Sequence, residues 1–191
     1  VGAGYYEMGL YNDAVWPLRT YTSYAGTDPV GWSYLARALV HTGDMQGALA
    51  AADEALKLND RHAPAYLARG FYYLAQKDPT LALEQFNLAR RYAPDNYELY
   101  LGFGETYYML GRNRESMLQL YEALRIAADE KKLPNRERRK AEVYVYLGLV
   151  YEATTPPLLE DAIATWNYIL EMGGSPPDAV AIAEQHLQAL T

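Results

Sequence analysis

The chain contains no cysteine, three histidines and three phenylalanines. Without cysteine there is no disulfide, no thiolate metal site and no cysteine nucleophile. The absence suits a reducing and an oxidising compartment equally, so localisation stays open. His41, His62 and His186 stand far apart and none falls in a metal-ligand spacing such as HExxH, so neither a metal nor a cofactor is expected. No apolar run approaches the ~20 residues that a membrane-spanning helix needs, and no charged start leads into an apolar stretch as in a signal peptide. Positive charge is also in short supply. With 17 basic against 24 acidic residues, a net charge of −7 and a pI near 5.0, the chain lacks the positive field that phosphate binding requires, which argues against a nucleic-acid partner.

Catalytic signals are missing too. Val1-Gly2-Ala3-Gly4 contains a GxG, but it has no strand before it and reads as part of a helix, so it is not a phosphate loop. No nucleophile, base and charge-stabilising group come together, so no catalytic residue is assigned and the chain is not expected to be an enzyme.

Apolar and aromatic residues make up half of the chain, and tyrosine alone counts 19. That is enough for a continuous core in 191 residues and too apolar for disorder. Laid on itself at an offset of 34, the sequence aligns Gly2, Ala36, Gly70 and Gly104 in a column of small residues. Tyr5, Leu39, Tyr73 and Tyr107 form a second column, Trp32, Tyr66 and Tyr100 a third, and Ala14, Ala48, Ala82 and Ser116 a fourth. Tyr144, Leu147, Gly148 and Tyr151 restore the pattern, but Gly148 lies 44 residues after Gly104. About ten residues are therefore inserted around AADEKKLPNRERRKAE, where Leu133, Pro134 and Asn135 read as a turn between lengthened helices.

Each unit reads as two helices. Tyr66, Gly70 and Tyr73 recur at i, i+4 and i+7 on the first, and Ala82, Phe86 and Ala89 do so on the second. Small Gly70 and Ala82 let the two backbones approach while the larger side chains fill the space beside them. Gly43 with Asp44, Asp78 with Pro79, and Gly111 mark the turns within units; Pro64 and Pro94 mark their boundaries.

The spacing Trp32-x2-Leu35-Ala36-x2-Leu39, Tyr66-x2-Arg69-Gly70-x2-Tyr73 with Ala82-x3-Phe86 and Pro94, Tyr100-x2-Phe103-Gly104-x2-Tyr107, and Tyr144-x2-Leu147-Gly148-x2-Tyr151 resembles the tetratricopeptide repeat (TPR) over nearly the whole chain. Arg69 stands where leucine is usual, and Asp60 and Ala128 stand in the column of Pro94. The resemblance implies an all-α, right-handed superhelical solenoid of antiparallel helix hairpins, with about four to five repeats and a C-terminal capping helix. The expected division is a partial first repeat over 1–28, repeats over 29–62, 63–96 and 97–130, an insertion over 131–140, a divergent repeat over 141–174, and a capping helix over 175–191. Val1 already sits in the column of Leu35, so the chain is expected to be part of a longer polypeptide.

The resemblance also implies that the first helix of each unit lines a concave groove where an extended peptide or helix lies. The residues opposite the packing face are Ser33, Arg37 and Val40, then Leu67, Phe71 and Leu74, then Leu101, Glu105 and Tyr108, then Val145, Leu149 and Glu152. With Tyr6, Tyr34 and His41 added, the expected peptide-binding residues are Tyr6, Tyr34, Arg37, His41, Leu67, Phe71, Leu74, Leu101, Glu105 and Tyr108. Such a lining suits an apolar side chain beside a carboxylate or a basic group. Equally, Phe71 and Leu74 fit packing against the next hairpin, because solenoid helices touch neighbours on two sides. Some members of the family clamp a C-terminal carboxylate with lysine and asparagine; Ser33, Pro64 and Ala68 do not reproduce that set, and only Arg37 is suited to it. Glu105 and Glu152 could face one groove, but a carboxylate pair on such a wall reads as surface acids.

Six of the 17 basic residues fall in KKLPNRERRK. Lys131, Lys132, Arg136, Arg138, Arg139 and Lys140 form a secondary patch that could meet an acidic partner, although cations closing a helix explain part of it. The expected function is a scaffold binding a protein or peptide segment in its groove. The alternatives are a self-associating assembly module, which makes a homo-oligomer, and a regulatory helical domain of a larger enzyme.

Overall fold

The computed structural model describes residues 1–129 and 135–190, and among these are eleven helices and no strand. They form two compact units, Val1–Asp95 and Asn96–Thr191. The first holds α1 (Gly2–Glu7), α2 (Tyr11–Tyr24), α3 (Pro29–Thr42), α4 (Met45–Leu58), α5 (Ala63–Ala75) and α6 (Pro79–Tyr92). In the second are α7 (Tyr97–Met109), α8 (Asn113–Asp129), α9 (Arg136–Ala153), α10 (Leu159–Glu171) and α11 (Pro177–Leu190).

Local chemistry sets the helix ends. The carboxylates of Asp28, Asp44 and Asp78 accept from the backbone N–H of Val30, Gly47 and Leu81 at 2.9–3.0 Å, and the Asn96 amide oxygen accepts from Glu98 at 2.8 Å. Each satisfies a donor that the first turn leaves unpaired. Pro29, Pro64 and Pro79 sit in first turns, where the missing N–H costs nothing. The hairpin turns follow the 34-residue register: Gly9, Gly43, Lys77 and Gly111 all take positive φ, between 59° and 84°. Glycine does this without penalty, and Lys77 pays for it.

Inside each hairpin the small column meets the large one. A Cβ on Gly70 would stand well inside 3.0 Å of the Phe86 ring, one on Gly104 inside 3.0 Å of Leu120, and one on Gly148 inside 3.0 Å of Trp166. Phe86, Leu120 and Trp166 are completely buried. The second hairpin solves the same problem with Ala36 and, 16 residues on, Ala52, both fully buried in one core. Where the first helix gains a methyl group, its partner gives up bulk. Ser116 replaces the alanine of its column, and its buried hydroxyl donates to the Gly104 carbonyl at 2.6 Å, so the polar atom is satisfied across the hairpin.

Hairpin follows hairpin in a regular way. In the first unit α1 packs on α3 and α3 on α5, whereas α2 and α4 lie on the first helix that follows each, and Arg19 of α2 reaches the Asp44 cap of α4 at 3.0 Å. In the second, α9 packs on both helices of the α7–α8 hairpin, on α10 and on α11. The first helices thus form the continuous wall of each unit. At 17 and 18 residues, α8 and α9 are the longest helices, flanking the extra residues in the register. The terminal helix α11 buries Ala179 and Ala183 against a core built on Trp166 and Ile169.

Candidate functional site

The wall of the first unit carries a basic and aromatic cluster. Arg37 sits on α3, with its guanidinium carbon 4.5 Å from the Tyr6 ring centre and 5.8 Å from that of Tyr34. Such stacking holds a cation by ~0.5–2 kcal/mol and fixes its direction. The Tyr34 hydroxyl donates to Glu7 at 3.1 Å. One turn beyond Arg37, the exposed His41 ring lies flat on Tyr11, centres 3.8 Å apart and planes within 5°. Its Nε2 is 3.4 Å from the Tyr6 hydroxyl. Phe71, one repeat after Arg37, meets Phe86 edge-on at 5.3 Å and remains half-buried.

Four of the expected lining residues are core instead. Tyr6, Leu67, Leu74 and Leu101 are only 4%, 1%, 5% and 7% exposed. The cause is packing within each unit: α1 lies on α2 and α3, α5 on α3, α4 and α6, and α7 on α8 and α9, which closes flanks that the sequence left looking open. Tyr6 supports Arg37 from below, and Leu101 belongs to the core of the second unit with Val143 and Leu147. Tyr34, Arg37, Phe71, Glu105 and Tyr108 stay half-buried and His41 exposed, so these six retain reachable surface.

The wall of the second unit is acidic. Glu105 accepts a hydrogen bond from the Tyr146 hydroxyl of α9; burial lifts the carboxyl pKa above its usual value, and the hydrogen bond pulls it partly back. Tyr146 in turn is raised well above the ordinary tyrosine range, first by burial and then by Glu105. One turn earlier on α9, burial pushes Glu142 up to about 7, with Glu98 and Asp178 adding to the rise and Arg138 opposing it. Arg138 Nε lies 3.3 Å from Glu142 Oε1. Sequence reasoning missed Glu142 and Tyr146 because it followed Val145 and Leu149 along α9. Their i, i+4 spacing, which sets a carboxyl and a phenol on one stripe of the helix, was the available signal.

Glu105 and Glu152 do not pair. Glu152 is taken up by the Trp166 indole N–H at 2.7 Å and by His186 Nδ1 at 2.9 Å, while His186 stacks on Trp166 with centres 4.8 Å apart. The basic patch is engaged where it is described. Arg136 and Lys140 pair with Glu137 at 2.9 and 3.5 Å, Arg138 pairs with Glu142, and Arg139 lies over the Tyr97 ring at 4.9 Å. All four lie in the first turns of α9, not in a loop. Lys131 and Lys132 lie outside the described residues. Among the described residues no group of three histidines or acids could hold a metal ion, and no helix is long and apolar enough to cross a membrane.

Stacked antiparallel hairpins with a small-on-large seam and a wall of first helices define a helical-repeat scaffold. No family model matches the chain. A thermophilic TPR protein of Thermus thermophilus superimposes with a TM-score of 0.72 at 22% identity, over 98% of this chain and 95% of that one. The APC/C hetero-tetramer Cut9-Hcn1 gives 0.59 at 15% identity, over 98% of this chain and 42% of that one. In sequence, anaphase-promoting complex subunit 7 of Arabidopsis thaliana is 30% identical over 154 residues. The match takes in 76% of this chain and 27% of that relative, so the chain spans about a quarter of its length. With the repeat columns and the observed hairpins, these likenesses assign the chain to the tetratricopeptide-repeat proteins.

Proposed function

We propose that the chain is a protein-interaction scaffold whose first-helix walls bind peptide segments, and that the first unit takes a segment with a carboxylate beside an apolar side chain. The observation that carries this is the orientation of Arg37 by the rings of Tyr6 and Tyr34, with His41 one turn along α3 and Phe71 at the equivalent position of the next repeat. A cation already held in place loses little freedom when an anion arrives, and an aromatic neighbour supplies area for the apolar residue. Binding in place of catalysis fits a wall of oriented contacts on which the Ser33 hydroxyl, 2.9 Å from His62 Nε2, is buried out of a substrate's reach. The Arabidopsis relative is by its name a subunit of a complex, which supports reading this chain as a partner-binding part.

A peptide array varying the charge and apolar content of short segments tests the proposal. The parent chain is expected to retain acidic and apolar peptides, and Arg37→Glu to lose them about tenfold or more while keeping its helical circular dichroism. If both proteins retain the same peptides equally, the wall of the first unit is not the site.

A further inference from the structure

The groove between α2 and α4 in the first unit is furnished differently from its counterpart between α4 and α6. In the 34-residue register, Gly47, Ala50, Ala51 and Glu54 of α4 correspond to Leu81, Glu84, Gln85 and Leu88 of α6. These positions, at i, i+3, i+4 and i+7, form one stripe of a helix. Three of them give up bulk in α4, and the fourth exchanges a leucine for a carboxylate. The Asp44 cap does not demand the glycine, because Asp78 accepts from the Leu81 N–H just as Asp44 accepts from that of Gly47.

The α4–α6 groove is closed from its floor as well. Arg69 Nε reaches Asp53 at 3.7 Å, and the Tyr66 ring lies along Tyr92 with centres 6.1 Å apart. The corresponding residues of the α2–α4 groove are Leu35 with Arg19 and Trp32 with Leu58, which can form neither an ion pair nor a ring stack. What remains is a cleft of about 430 Å³, lined among others by Arg19, Trp32, Leu35, Leu39, Ala50 and Asp53. Its size falls in the ~300–1,000 Å³ range of binding pockets. Leu35 and Leu39 belong to the core of the unit, so the cleft continues an established apolar interface out to the surface. Trp32 is half-buried and Ala50 exposed. The Trp32 indole N–H donates to the Gly26 carbonyl at 2.9 Å, which fixes the ring before anything binds.

Charge decides what the cleft takes. Arg19 pairs with Asp44 at 3.0 Å, Lys57 with Glu54, and Asp53 with Arg69. Each of these rim charges has its partner within the chain. A charged ligand would have to break a pair, whereas an apolar one meets hydrocarbon without that cost.

We propose that the cleft between α2 and α4 is a second docking site, which takes the apolar stripe of a helix from a partner protein. The stripe of α6 sets the spacing: a helix lying along α4 with aliphatic side chains at i, i+4 and i+7 supplies the bulk that Gly47, Ala51 and Glu54 omit. Trp32, Leu35 and Leu39 lie on the face of α3 opposite Arg37, so failure of this site would leave the reading of the peptide wall standing.

The probe is a synthetic peptide with leucines at i, i+4 and i+7 on an alanine and glutamine helix without charged side chains. Binding is read from the indole N–H resonance of Trp32 by nuclear magnetic resonance, assigned with Trp32→Phe. The peptide is expected to shift that resonance saturably and to leave those of Trp16 and Trp166 in place. Ala50→Leu fills the cleft from an exposed position and is expected to weaken the peptide about tenfold or more while the helical circular dichroism stays unchanged. Glutamine in place of the peptide's leucines is expected to do the same. No shift at Trp32, equal binding to Ala50→Leu or equal binding of the glutamine peptide would overturn the proposal. So would tighter binding of a peptide with lysine or glutamate in place of the leucines. Light scattering over a concentration series covers the competing occupant: a parent dimer that Ala50→Leu dissociates means that a second copy fills the cleft, and the proposal is then wrong.

Discussion

One scaffold position carries opposite chemistry in the two units. Arg37, Phe71 and Glu105 are successive members of a single column, 34 residues apart. In the first unit the position holds a cation spread over tyrosine rings; in the second it holds a carboxyl group whose pKa is raised by burial and drawn partly back by the Tyr146 hydrogen bond. The backbones around them are built alike, with capped helix starts, left-handed hairpin turns and a small residue against a large one. The comparison teaches that the repeat fixes where a side chain points and leaves its charge free. On the proposed function, selectivity would be set one column at a time.

The shared part breaks hardest. Phe86→Ala in the first unit and Trp166→Ala in the second each empty the centre of a hairpin and are expected to cost about 3–5 kcal/mol in urea denaturation. Gly70→Ala, which overfills the same seam, is expected to cost about 1–3 kcal/mol. The double change Gly70→Ala with Phe86→Ala should cost clearly less than the two together, because the added methyl group enters the space the ring vacates. Strict additivity would show that the two residues do not share one volume. The pair Ala36 and Ala52 is the natural precedent for the double variant.

These packing columns were legible in the sequence because period and size are both local properties. Gly70 and Phe86 were visible as a small and a large member of two facing helices, although the sequence matched Gly70 with Ala82 and the ring it meets is Phe86. The wall was harder. Leu67, Phe71 and Leu74 lie on one stripe of α5, yet Leu67 and Leu74 are buried and Phe71 is only partly so. A 3.6-residue rhythm tells that a helix has two apolar flanks, but not how far its packing neighbours cover each one. The chemistry of Glu142 was hidden for another reason: its shift comes from burial and from Glu98 and Asp178, residues far away in sequence.

That acidic wall sharpens the comparison through pH. Because the folded-state pKa of Glu142 is raised from 4.5 to about 7, the folded chain holds a proton that the unfolded chain releases between those values. The stabilising contribution is therefore fully present below pH 4.5 and is lost as pH rises through about 7. Glu115 and Glu122, lowered by Arg112 and Arg125, act in the opposite sense and lose their contribution as pH falls. Glu142→Gln isolates the one group. The stability of this variant relative to the parent is expected to improve by about 1–3 kcal/mol between about pH 5 and pH 8, measured by urea denaturation at both. A difference that stays flat across this range would mean that Glu142 ionises normally against Arg138.

The smallest effect concerns the turn that all the hairpins share. Lys77 holds φ at 59° where Gly9, Gly43 and Gly111 stand in the same register. A side chain in the left-handed region crowds its own backbone, a cost of about 1–2 kcal/mol that glycine avoids. Against this, glycine gives the unfolded chain more freedom, which returns part of the gain. The Lys77 side chain is exposed, so its removal takes little else away. Lys77→Gly is thus expected to stabilise the chain by about 0.5–1 kcal/mol, read as a higher denaturation midpoint with an unchanged slope. A loss of stability would show that the lysine stem packs on the hairpin enough to outweigh its backbone strain, and that this turn, unlike the others, is held by its side chain.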